Sequence, residues 1–555
     1  MMQMTGAELI VRLLERQGIR TIAGIPGGAI LPLYDALSGS DIIRHVLARH
    51  EQGAGFMAQG MARVSGRPEV CFASSGPGAT NLVTAIADAR LDSIPMVAIT
   101  GQVPLSMIGT DAFQEVDIYG MTVPITKHNF LVRSAAELLE VIPQAFRIAM
   151  SGRPGPVLVD VPKDVQNQLV SFEAYPEAAV PDPVPALDMA AIESAAKMID
   201  EAERPVLYLG GGVVHSGASR LAVTLAEQAG LPTTMTLMAL GTMPVDHPLS
   251  IGMLGMHAAR YTNFVLEESD LLICVGARFD DRAIGKAAQF CPNAQIIHID
   301  IDPAELHKIK AAHVAINGDV ATALEALLPR VKHNLRKRWL SHVDSLKSRF
   351  PMAMPGRDDP RTHYGLVHAV AAALDDEAVI ATDVGQHQMW VAQAYPFRRP
   401  RQWLTSGGLG TMGFGVPAAI GAALSEPDRT VVCFTGDGSF KMNIQELATL
   451  AEEGLNVKIV LMNNNSLGLV YQQQNLFYGK RVFASKYRGE PDFLKIAEGF
   501  GIAAVDLDSS PNPRATLAQA LQSRGPCLIH ASISREEFVY PMVPPGAANT
   551  EMIGG

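Results

Sequence analysis

At 555 residues the chain exceeds the roughly 250–300 at which one hydrophobic core stops growing, so several domains are expected. Hydrophobic residues at 48% against 18% charged exclude a mainly disordered chain, and a net charge of −11 excludes an extended nucleic-acid footprint. Five cysteines (Cys71, Cys274, Cys291, Cys433, Cys527) lack CxxC spacing, which excludes a zinc site or disulfide framework and points to a reducing, cytoplasmic setting.

In chain order, the first pattern is a helix. Thr5 and Glu8 have capping-box spacing, Leu9/Leu13 and Ile10/Leu14 stack four apart, and Gly18 stops it. Glu8, Arg12, Glu15 and Arg16 interrupt its apolar face, so it does not read as a signal peptide. A unit then recurs: a short apolar run, a polar or glycine-rich turn, and a helical pattern. Runs at 69–73, 95–99, 157–161, 205–209 and 271–275 end in SSGPG, TGQ, PKD, GGG and GARFDD. Those at 296–299, 379–382, 430–435 and 457–462 end in DID, DVG, GDGS and NNN. This alternation predicts an α/β fold with parallel sheets covered by helices, and sites beyond the carboxyl ends of the strands.

Proline-rich segments at 175–187 and 350–360 predict extended linkers. They divide the chain into three α/β domains, 1–175, 188–345 and 360–539, followed by a tail, 540–555, that is either a frayed end or a flap over the active site. The uncharged stretch 404–424 holds six glycines and Pro417, so it is not a spanning helix and no membrane partner is expected.

The strongest chemical signal is Gly436-Asp437-Gly438-Ser439 after the strand pattern TVVCFT. Asn463-Asn464 follows a second strand pattern, NVKIVLM. A carboxylate and a carboxamide at neighbouring strand ends can converge on Mg²⁺, which takes octahedral oxygen and completes its shell with water and phosphate. Gly436 and Gly438 would let the backbone approach that phosphate, and a helix from about Asn443 would aim its N-terminus at the charge. The spacing resembles the diphosphate-binding signature of thiamine-diphosphate enzymes. That resemblance requires a glutamate elsewhere, and Arg49-His50-Glu51-Gln52-Gly53-Ala54-Gly55 looks like its segment. A carboxyl bonded to the cofactor's pyrimidine would favour the tautomer that takes the reactive proton, and burial should raise the proton affinity of Glu51. No convincing Ser/His/Asp or Cys/His nucleophile is present.

From Thr5 to the tail the chain is similar to the catalytic subunits of the acetohydroxyacid synthase (acetolactate synthase) family. The likeness rests on GIPGGAILPLYDAL, RHEQGAGFMAQGMAR, SSGPGATN, DSIPMVAITGQV, GTDAFQE, SGRPGPVLVDVPKDVQ, GARFDDR, DVGQHQMW, SGGLGTMGFG and GDGS, among other stretches. It implies pyrimidine-binding, middle and diphosphate-binding domains in a homodimer or larger assembly with the active site between chains. It also implies a small regulatory subunit and three cofactors: thiamine diphosphate, Mg²⁺ and FAD, the last in a non-redox role.

By resemblance, Glu51 serves the pyrimidine, and Gly28, Phe113, Gln114 and Lys163 border the substrate space. Ser93, Gly385, Gln386, His387, Gly410, Met412, Gly438 and Ser439 would contact cofactor, Met412 propping it into a bent shape. Asp437, Asn464 and the backbone carbonyl of Ser466 would hold Mg²⁺. Flavin is implied at Arg153, Gly211, Thr236, Leu237, Met238, Leu254, Gly255, Met256, His257, Gly276, Ala277, Arg278, Phe279, Asp280, Asp300, Ile301, Asp319 and Val320. Arg282 would grip the carboxylate of the second 2-oxo acid bidentately. Gln473 stands where many members carry tryptophan.

The implied reaction is decarboxylation of pyruvate and transfer of its two-carbon hydroxyethyl unit to a second 2-oxo acid. Pyruvate as acceptor gives 2-acetolactate, and 2-oxobutyrate gives 2-aceto-2-hydroxybutyrate, at the first common step of branched-chain amino-acid synthesis. The alternatives are a FAD-linked pyruvate oxidase and a non-catalytic regulatory relative.

Overall fold

The computed structural model describes residues 1–554. Three six-stranded sheets, each parallel throughout, are built in turn along the chain. The first runs, edge to edge, Arg44–Leu47, Thr21–Gly24, Glu69–Ala73, Met96–Gln102, Pro156–Pro162, His128–Leu131. The third repeats that topology: Trp403–Leu404, Val379–Thr382, Val431–Gly436, Val457–Asn463, Cys527–Ser532, Ala503–Asp506. The middle sheet differs, with Ser250–Met253, Thr233–Met235, Pro205–Leu209, Leu271–Val275, Gln295–Asp300 and Val314–Asn317 in order. In each, strand order reverses beside the first-formed strand, and such a switch point opens a crevice at the carboxyl edge where ligands bind.

Predominantly apolar strands, including Leu271–Val275 and Val457–Asn463 with its buried Lys458, are buried along their whole length, as helix-covered parallel sheets require. The opening helix spans Gly6–Arg16, and its capping box is complete. Thr5 Oγ1 accepts from the Glu8 amide at 3.2 Å, and Glu8 Oε2 accepts from the Thr5 amide at 2.7 Å. Met2–Thr5 pairs antiparallel with Leu169–Phe172, tying the two ends of the first unit together.

One core cluster crosses from the first sheet to the third. At its centre the helices Glu51–Ser65 and Gly415–Ser425 pack backbone to backbone. A Cβ on Gly60 would strike the Ala418 carbonyl, and one on Gly421 the Met57 carbonyl, so only glycine permits this approach. Phe56 meets the Phe414 ring edge-on at 5.3 Å. The stretch 404–424 therefore divides into a strand end, a glycine-rich loop and a buried helix. Among the described residues no helix is long and apolar enough to cross a membrane.

The structure corrects two expectations of local order. The helix anticipated from about Asn443 is two pieces: a single turn, Asp437–Phe440, beginning at the aspartate itself, and a longer helix, Glu446–Glu453. The tail is not frayed. Met542, Val543 and Ala548 are buried, the Val543 amide donates to Met256 O at 2.9 Å, and Asn549 Nδ2 donates to Ala283 O at 2.9 Å. It lies as a strap across the middle unit, beside the segment that carries Arg282.

Candidate active site

Two half-sites face carboxyl strand edges. In the first, His50 caps the helix Glu51–Ser65, its Nδ1 accepting from the Gln52 amide at 3.1 Å. Glu51 is the first helical residue and half-buried. Asn81 Nδ2 donates to its Oε2 at 2.9 Å, and a Cβ on Gly78 would lie 3.3 Å from its Oε1. The entry to this helix is fixed by Glu446, whose buried carboxylate accepts from the Arg49 and His50 amides, each at 3.0 Å. Burial pushes the Glu446 carboxyl up from its ordinary range. Sequence reasoning missed Glu446, because an acid in a helix's first turn is ordinarily a solvated dipole contact.

Gly28 is exposed at the end of its strand, with open space where a Cβ would project. Lys163 directly follows the fully buried strand Pro156–Pro162. Phe113 is 87% exposed, and Gln114 adopts φ +59° with its backbone against Gly76. Their loop is held at its far end, where Gln102 Nε2 donates to Val116 O at 3.0 Å and to buried Asp160 at 3.0 Å.

In the second half-site, Asp437 ends the strand run Val431–Gly436 and is buried, with Oδ2 lacking any hydrogen-bond partner. The nearest cation, Lys441 Nζ, stands 3.6 Å away. Desolvation pushes the Asp437 carboxyl up, Lys441 opposing. An orphaned buried carboxylate oxygen is costly unless something else compensates it, and a divalent cation does so. Asn464 Oδ1 accepts from Ser466 Oγ at 2.9 Å, while Asn464 Nδ2 donates to Gln386 Oε1 at 3.0 Å, which turns the amide oxygen away from Gln386. Ser466 is buried beside them. The donor set of carboxylate, amide oxygen and backbone carbonyl suits Mg²⁺.

His387 is buried against Gly436 with Nε2 unpartnered, and burial pulls it down to about 3, so the ring is neutral. Met412 leans over Gly438, its Cε 3.6 Å from where a Cβ would project, and Leu467 and the Tyr487 hydroxyl close the same cradle. Ser439 Oγ donates to Val384 O at 2.7 Å. Gly410 adopts φ +70° and is exposed. Asp383 anchors the loop beyond Met412, accepting from the Gly413 amide at 2.8 Å and the Gly415 amide at 3.2 Å.

Three family models match the chain in turn. Thiamine pyrophosphate enzyme, N-terminal TPP binding domain, covers residues 4–121; the central domain covers 192–327; the C-terminal TPP binding domain covers 383–531. The chain is 64% identical to acetolactate synthase isozyme 1 large subunit of Escherichia coli, over 99% of this chain and 98% of that protein. It belongs to the acetolactate synthase large-subunit family. It is also 47% identical to the isozyme 2 large subunit of E. coli, with 99% of each chain covered, and 46% identical to acetolactate synthase 1, chloroplastic, of Zea mays, over 99% of this chain and 88% of that one.

Within this family member the two half-sites meet through Glu446 and through Asn443, whose Nδ2 donates to Gln52 Oε1 at 3.2 Å. A third site lies at the middle sheet's switch point, where Gly210-Gly211-Gly212 and Gly276 follow adjacent strands. There a cavity of about 430 Å³ is lined by Arg153, Ser93, Gly211, Thr236, Met238, Gly276, Ala277, Arg278, Asp280, Asp300, Ile301, Asp319 and Val320. Thr236 Oγ1 is buried there without a partner. Burial pushes Asp300 up to about 6. Arg153 is held by Ser93 Oγ at 2.8 Å and Glu305 Oε1 at 2.8 Å. Leu237, Leu254, Gly255, Met256, His257 and Phe279 lie outside that wall. Met256 and His257 meet the tail instead, and Phe279 packs edge-on against Tyr208 at 6.0 Å. Asp92 and Glu305 line the cavity without having been anticipated.

Arg282 is exposed on the short helix Asp281–Ile284, 3.3 Å from Asp281, its carbonyl accepting from the Met256 amide at 2.9 Å. The three glutamines of 472–474 are helical, within Gly468–Phe477. Gln472 is buried and bonds Gln386 and Val539, and Gln474 bonds Ser485 and Phe483. Gln473 makes no hydrogen bond among the described residues and is half-buried.

Proposed function

We infer that this chain is the catalytic subunit of a thiamine-diphosphate-dependent acetolactate synthase. It decarboxylates pyruvate and condenses the two-carbon unit with a second 2-oxo acid at the head of branched-chain amino-acid synthesis. The end-to-end likeness to large subunits carries this reading. Bound thiamine diphosphate supplies a carbon acid and an electron sink. The chain's own part is to place Glu51 against the pyrimidine, to hold the diphosphate over Gly438 and Ser439 with Gln386 and neutral His387 beneath, and to prop the cofactor with Met412. Asp437, Asn464 and the Ser466 carbonyl would hold Mg²⁺. The orphaned Asp437 Oδ2 supports that assignment.

The switch-point cavity supports FAD as a further group, its glycine turn and Asp300 facing the nucleotide portion. A homodimer or larger assembly is supported by exposed Phe113, Tyr119, Met121, Val123 and Met442. On this reading Gly28, Phe113, Gln114 and Lys163 of one chain close over the cradle of the other, and Arg282 and Gln473 meet the second 2-oxo acid, pyruvate or 2-oxobutyrate. The domain division 1–175, 188–345 and 360–539, with 540–555 as a C-terminal tail that can serve as an active-site flap, belongs to the same proposal. So do a small regulatory subunit, named by implication in the relatives' "large subunit", and a cytoplasmic setting, supported by five buried, unpaired cysteines.

The test supplies pyruvate, thiamine diphosphate, Mg²⁺ and FAD and measures acetolactate, as acetoin after acid treatment, with anaerobic flavin absorbance followed alongside. Acetolactate with unbleached flavin is expected. Stoichiometric flavin bleaching without acetolactate indicates the oxidase, and neither change overturns the enzymatic reading.

A further inference from the structure

The loop 405–412 lies on the third unit, yet its shape is set by the first. Helix Val83–Asp92 turns two buried carboxylates up beneath it, Asp88 at 0% and Asp92 at 6% exposure. Asp88 Oδ1 accepts from the Ser406 hydroxyl and from Thr411 Oγ1 at 2.8 Å, and Ser406 Oγ accepts from the Thr411 amide at 2.8 Å. Asp92 takes the next two amides, Gly407 at 3.0 Å on Oδ2 and Gly408 at 2.7 Å on Oδ1. Arg63 supplies the counter-charge from the helix that begins with Glu51. Its Nη2 is 2.8 Å from Asp92 and 3.4 Å from Asp88, and its guanidinium lies 4.9 Å over the Phe414 ring. Both carboxylates and the Ser406 and Thr411 hydroxyls are hydrogen-bonded, Arg63 Nε alone being left without a partner, and interiors packed and bonded in this way have discrete arrangements rather than a continuum.

Residues packed against the strip belong to the wall of the switch-point cavity, though none of 405–412 lines it. Asp92 and Met238 both line it. Met238 Sδ is the first atom that a Cβ on Gly407 would meet, at 2.5 Å, so Gly407 is held between two wall residues. Ser93, next after Asp92, bonds Arg153 on the far side of the cavity. The opposite end of the strip is Thr411, whose neighbour is Met412.

We propose that the switch-point cavity and the thiamine cradle are thermodynamically coupled through this strip, with Asp92 as the coupling residue and Asp88, Arg63 and Met238 as positioning residues. The proposal rests on the assignment of FAD and thiamine diphosphate above. A planar ligand against Asp92 and Met238 fixes Gly407 and Gly408, and with them the turn that presents Met412. Occupancy of the cradle fixes the same turn from the other end. Linkage makes the effect reciprocal: each group raises the other's affinity by one common factor, and couplings of this kind run about 5–150-fold. This gives a non-redox flavin a function in the enzyme, since a ligand ordered at one end of the strip lowers the cost of ordering the other.

The experiment uses the full chain stripped of small molecules. The FAD dissociation constant is read from flavin fluorescence with and without saturating thiamine diphosphate and Mg²⁺. The thiamine diphosphate constant is read by calorimetry with and without FAD, and the oligomeric state by light scattering in parallel. In the wild type both ratios should exceed about 5 and agree with each other. Asp92→Asn keeps the shape but turns an amide N–H towards one loop amide, and should bring both ratios close to one. Thr411→Val leaves the cavity wall and the Arg63 pairs intact, so it covers the case in which Asp92→Asn fails to fold, and it should lower both ratios. Wild-type ratios of one overturn the coupling while leaving the cofactor assignment standing. Wild-type ratios retained in Thr411→Val and in folded Asp92→Asn mean coupling through assembly, and overturn the role of the strip. A wild type that binds neither group overturns the cofactor assignment as well.

Discussion

The backbone amide of Asn464 stands 3.4 Å from Asp437 Oδ1, which brings the ends of two adjacent parallel strands within the span of one metal ion. Oδ2 of the same aspartate is buried without a hydrogen bond, with Lys441 Nζ 3.6 Å away, an arrangement that suits a divalent cation. Asp437→Ala should therefore lose Mg²⁺-dependent retention of thiamine diphosphate. Thiamine content after gel filtration checks this: the wild type should retain it with Mg²⁺ and lose it with chelator, the variant losing it in both. Retention by the variant contradicts the metal assignment.

Glu51 is placed by Asn81 and the Glu446-held helix start to offer a carboxyl, and a carboxamide keeps its shape without its proton. Glu51→Gln should lower turnover about 10²–10⁴-fold, the usual worth of a positioned acid–base group. Cofactor content should stay near wild type. Turnover within a few-fold of wild type would remove Glu51 from the proton path.

Asp160 lies under the loop of Phe113 and Gln114, with Thr100 Oγ1 at 2.7 Å and Gln102 Nε2 at 3.0 Å, and no cation touches it. Burial pushes its carboxyl from 3.8 up to about 7. The folded state thus keeps a proton that the unfolded chain releases. The associated stability is full below about pH 4 and is lost as pH rises through about 7. Asp160→Asn, permanently neutral, should gain on the wild type between about pH 5 and pH 8, by about 2 kcal/mol. The difference in thermal midpoint at the two pH values measures it, and a flat or falling difference refutes it.

Gln473 offers an unbonded amide where tryptophan would offer a ring. A single methylene in an apolar pocket is worth roughly 1–3 kcal/mol, about 10–200-fold in discrimination. The native chain should show weak preference for 2-oxobutyrate over pyruvate as second substrate, and Gln473→Trp should raise it. A competition assay reading both products decides. An unchanged product ratio in the variant removes Gln473 from the acceptor pocket.

Much of this protein was readable in one dimension. Short apolar runs closed by glycine turns specify parallel strands, because a strand buried on both faces must be mainly apolar, and Gly436-Asp437-Gly438-Ser439 with Asn464 places donors at strand ends whatever surrounds them. The capping box at Thr5 and Glu8 is similarly local, since its partners are three residues apart. Other features came only from the tertiary structure. Asp88 and Asp92 bond residues more than 300 positions away, and Glu446 reaches back to Arg49 and His50. Contacts so distant along the chain leave no periodicity or spacing to read, and an acid in a helix looks solvated until a second domain buries it. The same holds for the tail, whose Pro/Gly composition carries no helical or strand period. Its order comes from the Val543 amide and the Asn549 side chain, which donate to the carbonyls of Met256 and Ala283, and those bonds exist only once the middle sheet has folded beneath it.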